Sequence, residues 1–335
     1  MKWQNIEEKP ISIHGLAIKE NGVYFRLPMD VIDTVSPGVS QMARNTASAR
    51  VRFRTDSKSL EIRYRPLNQG VDGFAISRAG KSMIAVYING CFDGVTIKGH
   101  SEKTTFRYES KHGLLDRDIN DVVIYMPIDN GLEFMEIGID DDARIMAPSG
   151  YTYEKPIVFY GSSITQGLAA SHPGRPYVDQ VCRKLDTEYY NLGFSGNCKA
   201  EKSISDYIAK QDMSIFVYDY DHNAPSAEYL RETHEALFLN FREKHPDTPV
   251  VFISRPDFYK NLPDDHERRN IVRATYENAL ARGDKNVTFI DGESLFGYEA
   301  DRYECTVDGV HPNDLGFERM SAVIYPVLKE ILKKR

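Results

Sequence analysis

The chain has 335 residues, 41% hydrophobic and 27% charged, and a formal net charge of -7. That length and apolar fraction fit two packed domains, or one large one, with a real core. The negative charge argues against nucleic-acid binding and against docking on an anionic membrane, both of which need a basic face.

Met1 to Pro10 is polar and acidic and leads into no apolar run. No segment approaches the roughly 20 apolar residues of a membrane helix, so a cytoplasmic protein without membrane partners is expected. Cys91, Cys182, Cys198 and Cys305 are scattered, with no C-x-x-C pair. They read as reduced thiols serving as small packing residues.

From about Gly15 to Asp140 the hydrophobic period is two. Arg50-Val51-Arg52-Phe53-Arg54 and Leu60-Glu61-Ile62-Arg63-Tyr64 alternate. Ile84 to Ile88, Val122 to Met126 and Phe134 to Ile139 are similarly rich in β-branched and aromatic residues. These are half-buried strands. Asn89-Gly90 and Asp93-Gly94 are turn signals between them. No helix is expected here, and many short strands with frequent turns imply a β-sandwich of jelly-roll type.

The segment Asp140 to Glu154, with Pro148-Ser149-Gly150, reads as a linker. Its Asp140-Asp141-Asp142 run lacks the spaced oxygens of a calcium loop and reads as a solvated turn. His14 and His172 show no metal-ligand spacing, and no metal or other cofactor is expected.

Beyond Tyr153 the strands become short, wholly apolar runs: Pro156 to Tyr160, Tyr189 to Leu192, Ile215 to Tyr218, Val250 to Ile253 and Val287 to Ile290. Helical spacing separates them over Pro176 to Leu185, Ala227 to Lys244 and Glu267 to Arg282. A last helix is expected over about Asn313 to Lys334. Apolar strands alternating with helices describe a parallel sheet covered on both faces, with ligands at the carboxyl ends of its strands.

At that edge the residues become chemical. Gly161-Ser162-Ser163 follows the first strand, which leaves the Ser163 hydroxyl either at the active edge or as a plain helix cap. Gly193-Phe194-Ser195-Gly196-Asn197 follows the second strand, and Asp219-Tyr220-Asp221-His222-Asn223 the third. The Gly196 N–H and the Asn223 amide are candidate donors to an oxyanion. Late in the chain Asp308-Gly309-Val310-His311 has the D-x-x-H step. It lets an aspartate hold one ring nitrogen of its histidine and leave the other to accept a serine proton. Arg255, after the fourth strand, reads as a substrate contact or a structural ion pair. His222 reads as a substrate contact or a wall of the pocket. Tyr160, Tyr218 and Tyr220 line a cleft or pack in the core.

In this order Gly161-Ser162-Ser163, Gly196, Asn223 and Asp308-x-x-His311 resemble the four blocks of the SGNH (GDSL-type) hydrolases. The resemblance spans roughly Pro156 to Lys334. It implies Ser163 as nucleophile, His311 as base and Asp308 as its orienter. It also implies the backbone N–H groups of Ser163 and Gly196 and the Asn223 side chain as oxyanion donors. Ser162 stands where the family usually has aspartate, and Asp221-His222-Asn223-Ala224 where it usually has G-x-N-D. An inward-pointing Asp221 would oppose an oxyanion, so Asp221 is expected to turn away or bind a neighbouring donor.

The preceding sandwich is similar to the carbohydrate-esterase branch. The expectation is a β-sandwich over 1–145 and a flavodoxin-like α/β/α hydrolase domain over 153–335. The expected activity is that of a serine esterase removing acyl groups, foremost acetyl, from a small-molecule or oligosaccharide ester. The competing functions are a general short-chain esterase or acyltransferase on the same triad, and a non-catalytic carbohydrate-binding protein.

Overall fold

A computed structural model describes residues 1–16, 18–67, 76–96, 106–110, 112–256 and 264–334. Up to residue 146 the described strands form two facing antiparallel sheets and a separate hairpin of Ile18–Glu20 with Val23–Phe25. One sheet runs Lys2–Asn5, Leu132–Ile139, Leu60–Pro66, Phe106–Glu109. The other runs Ile145–Met146, Arg50–Thr55, Asn120–Tyr125, Ala85–Ile88, Cys91–Val95, with Ser12–His14 also beside Arg50–Thr55. Val51, Phe53, Val122 and Ile124 meet Ile62, Tyr64, Met135 and Ile137 between the sheets. The period-two pattern therefore sets which face is inside.

Three details depart from the sequence reading. Short helices, Met29–Ile32, Pro37–Met42 and Arg78–Ser82, occur in the first half, where none was expected. Each is too short to display helical periodicity. Asn89-Gly90 does form the expected turn, both residues having positive φ. Asp93-Gly94 instead lies inside the strand Cys91–Val95, beside a register shift; the glycine marks a bulge rather than a turn. Cys91 is exposed, so only the other three cysteines are packing residues; all four are free thiols.

From Tyr153 a parallel sheet runs in the order Thr187–Gly193, Tyr153–Gly161, Ile215–Asp219, Val250–Ile253, Val287–Ile290. This is the 2-1-3-4-5 order of flavodoxin-like folds. Alternate residues feed opposite faces. Val158, Tyr160, Phe216, Tyr218, Val250 and Phe252 join one core, and Ile157, Phe159, Ile215, Val217, Val251 and Ile253 the other. Helices Tyr177–Leu185 and Asp314–Lys333 cover the second core. Helices Lys202–Ile208, Ala227–Lys244 and Asp265–Ala281 cover the first. Lys202–Ile208 had no sequence-based expectation. Among the described residues no helix is long and apolar enough to cross a membrane.

The first core is not built by the α/β residues alone. Phe25, Leu27, Ile32, Val39 and Ala43 from the amino-terminal region pack into it. The contact continues in polar form at Arg50. On alternation its side chain leaves the sandwich, yet it is 1% exposed because the α/β layer covers it. Its guanidinium donates to Glu188 Oε1 at 2.7 Å and to the Tyr151 hydroxyl at 2.8 Å. Burial pushes Glu188 up, but the Arg50 charge and the His14 hydrogen bond outweigh it and leave the carboxyl at about 2.

Candidate active site

The carboxyl ends of the parallel strands bring the sequence-selected residues to one edge. Strand Tyr153–Gly161 stops where the chain enters the short helix Ser163–Gln166. Ser162 caps that helix, its Oγ accepting from Ile164 N at 3.2 Å. The capping role considered for Ser163 thus falls to its neighbour. Gly161 is required by close approach: a Cβ there would overlap the Thr165 hydroxyl and the Asp219 carbonyl. Glycine lets the strand and the turn pack against each other.

Ser163 Oγ lies 3.0 Å from His311 Nε2, although 148 positions separate them. His311 Nδ1 lies 2.7 Å from Asp308 Oδ2. The other carboxylate oxygen of Asp308 accepts from the N–H groups of Val310 and His311 at 2.9 and 2.8 Å. Partial burial pushes the Asp308 carboxyl up, but these N–H groups and the ring outweigh it and hold it below the usual range. An ionised Asp308 makes Nδ1 the protonated nitrogen, and Nε2 is then a base facing the hydroxyl.

Two loops stand beside this chain of bonds. In the first, Gly196 has φ +67 and is exposed; this left-handed backbone suits glycine. The loop is held by Phe194 N–H to the Gly161 carbonyl, Asn197 N–H to the Phe194 carbonyl, and Ser195 N–H to Gln166 Oε1 at 3.0 Å. In the second, Asn223 Oδ1 accepts from Cys198 N–H at 3.4 Å. That bond assigns the amide oxygen and leaves the Asn223 NH₂ as the donor end.

Asp221 binds neighbouring donors, as expected. Its Oδ2 accepts from Arg255 N–H at 2.8 Å, and its Oδ1 faces His222 Nδ1 at 2.9 Å. Burial raises its pKa, but His222 and the Arg255 N–H outweigh that and leave it lowered. The Arg255 guanidinium pairs with buried Asp265 at 3.3 Å, which gives Arg255 the structural reading. His222 Nε2 is buried without a hydrogen-bond partner. Tyr160, Tyr218 and Tyr220 are fully buried and stack on one another, so they are core residues.

Sequence reasoning missed the support beneath the nucleophile helix. Buried Asp219 accepts from the Thr165 hydroxyl at 2.8 Å and from the Tyr177 hydroxyl at 2.9 Å. Burial, with Asp221 nearby, pushes it up to about 6. It also missed Gln166. Both Thr165 and Gln166 sit just after the nucleophile, and nothing in the sequence marks that they are buried.

The model of the GDSL-like lipase/acylhydrolase family matches residues 154–329, over half of the chain. The chain belongs to that family. It is a serine ester hydrolase. A model of the N-terminus of SGNH-hydrolase-type esterases matches residues 1–145. Among curated proteins none matches the chain.

Several solved structures share the whole architecture. A candidate GDSL-like lipase from Bacteroides ovatus is 28% identical, with TM-score 0.87 over 99% of this chain and 98% of its own. A salicylyl-acyltransferase from a tetracycline biosynthetic pathway is 19% identical, with TM-score 0.76 over 98% of each chain. A family two carbohydrate esterase from Clostridium thermocellum, solved with cellohexaose, is 13% identical, with TM-score 0.64 over 86% of this chain and 94% of its own. At such identities the last two show the fold alone.

Proposed function

We propose that this family member removes acetyl groups from a carbohydrate, with Ser163 as nucleophile, His311 as base and Asp308 as its orienter. The observation that carries the site assignment is the unbroken chain Ser163 Oγ to His311 Nε2 to Asp308. Ser163 Oγ attacks the ester carbonyl as its proton passes to His311 Nε2. The oxyanion is held by the N–H groups of Ser163 and Gly196 and by Asn223 Nδ2. The carbon–oxygen bond to the sugar breaks, and His311 returns the proton to the departing hydroxyl. Water then gives a proton to His311 and attacks the acyl carbon; acetate leaves and Ser163 regains its proton.

The carbohydrate reading is supported by the architecture shared with proteins described as carbohydrate esterases. One of these was solved with cellohexaose, and another is an acetyl xylan esterase from Butyrivibrio proteoclasticus. We also propose the division into a sandwich over 1–145 and a hydrolase domain over 153–335, each half of the chain contributing to the first core. His222, next to Asn223 on the same loop, is the proposed substrate contact.

The test is acetate release from acetylated xylo-oligosaccharides and from p-nitrophenyl acetate. The wild type is expected to release acetate from both, and Ser163→Ala from neither while still binding the sugar. Transfer of the acetyl group to an added alcohol in preference to water would reassign the enzyme as an acyltransferase. Full activity in Ser163→Ala would end the assignment.

A further inference from the structure

The strand end and loop that lead to Gly196 are also contacted from the amino-terminal half of the chain. Arg26, fully buried, donates to the Gly193 carbonyl at 2.7 Å and to the Asn191 carbonyl at 3.0 Å. These are the last residues before the loop. Its guanidinium also stacks 5.0 Å from the centre of the Phe194 ring. Gly38 lies so close to Asn197 that a Cβ there would overlap the amide.

Between these contacts runs a shorter connection. Asp129 sits in the turn joining strands Asn120–Tyr125 and Leu132–Ile139 of the sandwich. Its Oδ1 accepts from Gln166 Nε2 at 2.9 Å and from Asn45 Nδ2 at 2.8 Å. Gln166 is completely buried on the nucleophile's helix, and its Oε1 accepts the Ser195 N–H at 3.0 Å. Both ends of this amide are therefore used. A buried amide satisfied in one orientation cannot flip without leaving polar groups unpaired.

We propose that Gln166 is a positioning residue, relaying the position of Asp129 in the sandwich to the peptide next to Gly196 and so setting the aim of that oxyanion donor. The proposal rests on the reading of Gly196 as such a donor. Donors of this kind act through placement, and misplacing one costs rate in the transition state more than it costs ground-state binding. The amino-terminal half is thus part of the catalytic apparatus, acting through one amide on the loop it braces.

The relay has a polarity that can be inverted. Gln166→Glu keeps an oxygen for Ser195 N–H but sets a second carboxylate against Asp129. Adding Asp129→Asn supplies an NH₂ that donates to the carboxylate introduced by Gln166→Glu; Asn45, whose Nδ2 donates to the same Asp129 oxygen, then turns its amide so that its own oxygen accepts from that NH₂. The measurements are kcat and KM for p-nitrophenyl acetate, the melting temperature, and the Ki of phenylboronic acid, which forms a tetrahedral anion on a reactive serine. Gln166→Ala and Gln166→Glu are each expected to lower kcat by roughly ten- to a hundredfold, with KM changed less than about threefold. The boronate Ki is expected to rise by a similar factor. The double variant Q166E/D129N is expected to recover most of kcat and of boronate affinity. Unchanged kcat and Ki in Gln166→Ala would overturn the relay, as would a folded double variant no better than Gln166→Glu. Ser163→Ala, run in parallel, separates the two ideas: its retention of activity would remove the catalytic reading itself, whereas its inactivity beside a fully active Gln166→Ala would remove only the relay.

Discussion

Asn223 shows how little freedom a single side chain has here. Its oxygen is committed to Cys198 N–H, so its NH₂ is the end left to donate elsewhere. Asn223→Ala removes that donor and also frees one anchor of the Gly196 loop. We expect kcat to fall by about a hundredfold or more, with KM nearly unchanged, in steady-state assays on p-nitrophenyl acetate. An effect confined to KM would mean that the amide binds substrate and not the oxyanion. Asp221 is similarly committed: one oxygen accepts from the Arg255 N–H and the other faces His222 Nδ1.

Among the elements, the fourth strand ends in a residue whose sequence context left two roles open. Arg255 is 8% exposed and pairs with Asp265, at the start of the helix Asp265–Ala281. Breaking a buried pair from one side costs about 3 kcal/mol or more. Arg255→Ala is therefore expected to lower the melting temperature by several degrees, with KM for a small ester changed by less than about twofold. A large rise in KM at unchanged melting temperature would return Arg255 to the substrate. The element scale is also where legibility varied most. The parallel strands were plain because each is a continuous apolar run between helical segments. Short helices such as Pro37–Met42 were invisible because two turns carry no period, and Asp93-Gly94 misled because a bulge and a turn use the same residues.

For the whole molecule, Glu188 is the test of how the two halves depend on each other. It belongs to the parallel sheet, while Arg50 and His14 reach it from the sandwich. Its carboxyl is held at about 2 in the folded protein against an ordinary 4.5. A depressed carboxyl contributes stability that is complete above its unfolded pKa and is lost as pH falls through the folded one. The window is therefore about pH 4.5 down to 2, and the amount on the order of 3 kcal/mol. Urea unfolding should show the wild type losing that much more across the window than Glu188→Gln. Equal slopes would show that the pair contributes nothing net. None of this coupling was legible in the sequence. Alternation assigned Arg50 to an outer face without saying that the face is covered, and Asp129 and Gln166 lie in segments with no pattern linking them. The first three blocks were legible because each places a particular residue just after a strand of the parallel sheet, and the fourth because Asp308 and His311 keep the D-x-x-H step ahead of the last helix. Their partners were not, because a buried amide or carboxylate can be supported from any part of the chain.

The central claim is that the Ser163 hydroxyl is the group acylated and that His311 activates it. The most direct measurement is covalent labelling with a fluorophosphonate, followed by mass mapping of the peptides. A single adduct on Ser163 is predicted, its formation slowed by at least about a hundredfold in His311→Ala. Stoichiometric labelling of another residue, or labelling of Ser163 at an unchanged rate without His311, would contradict it.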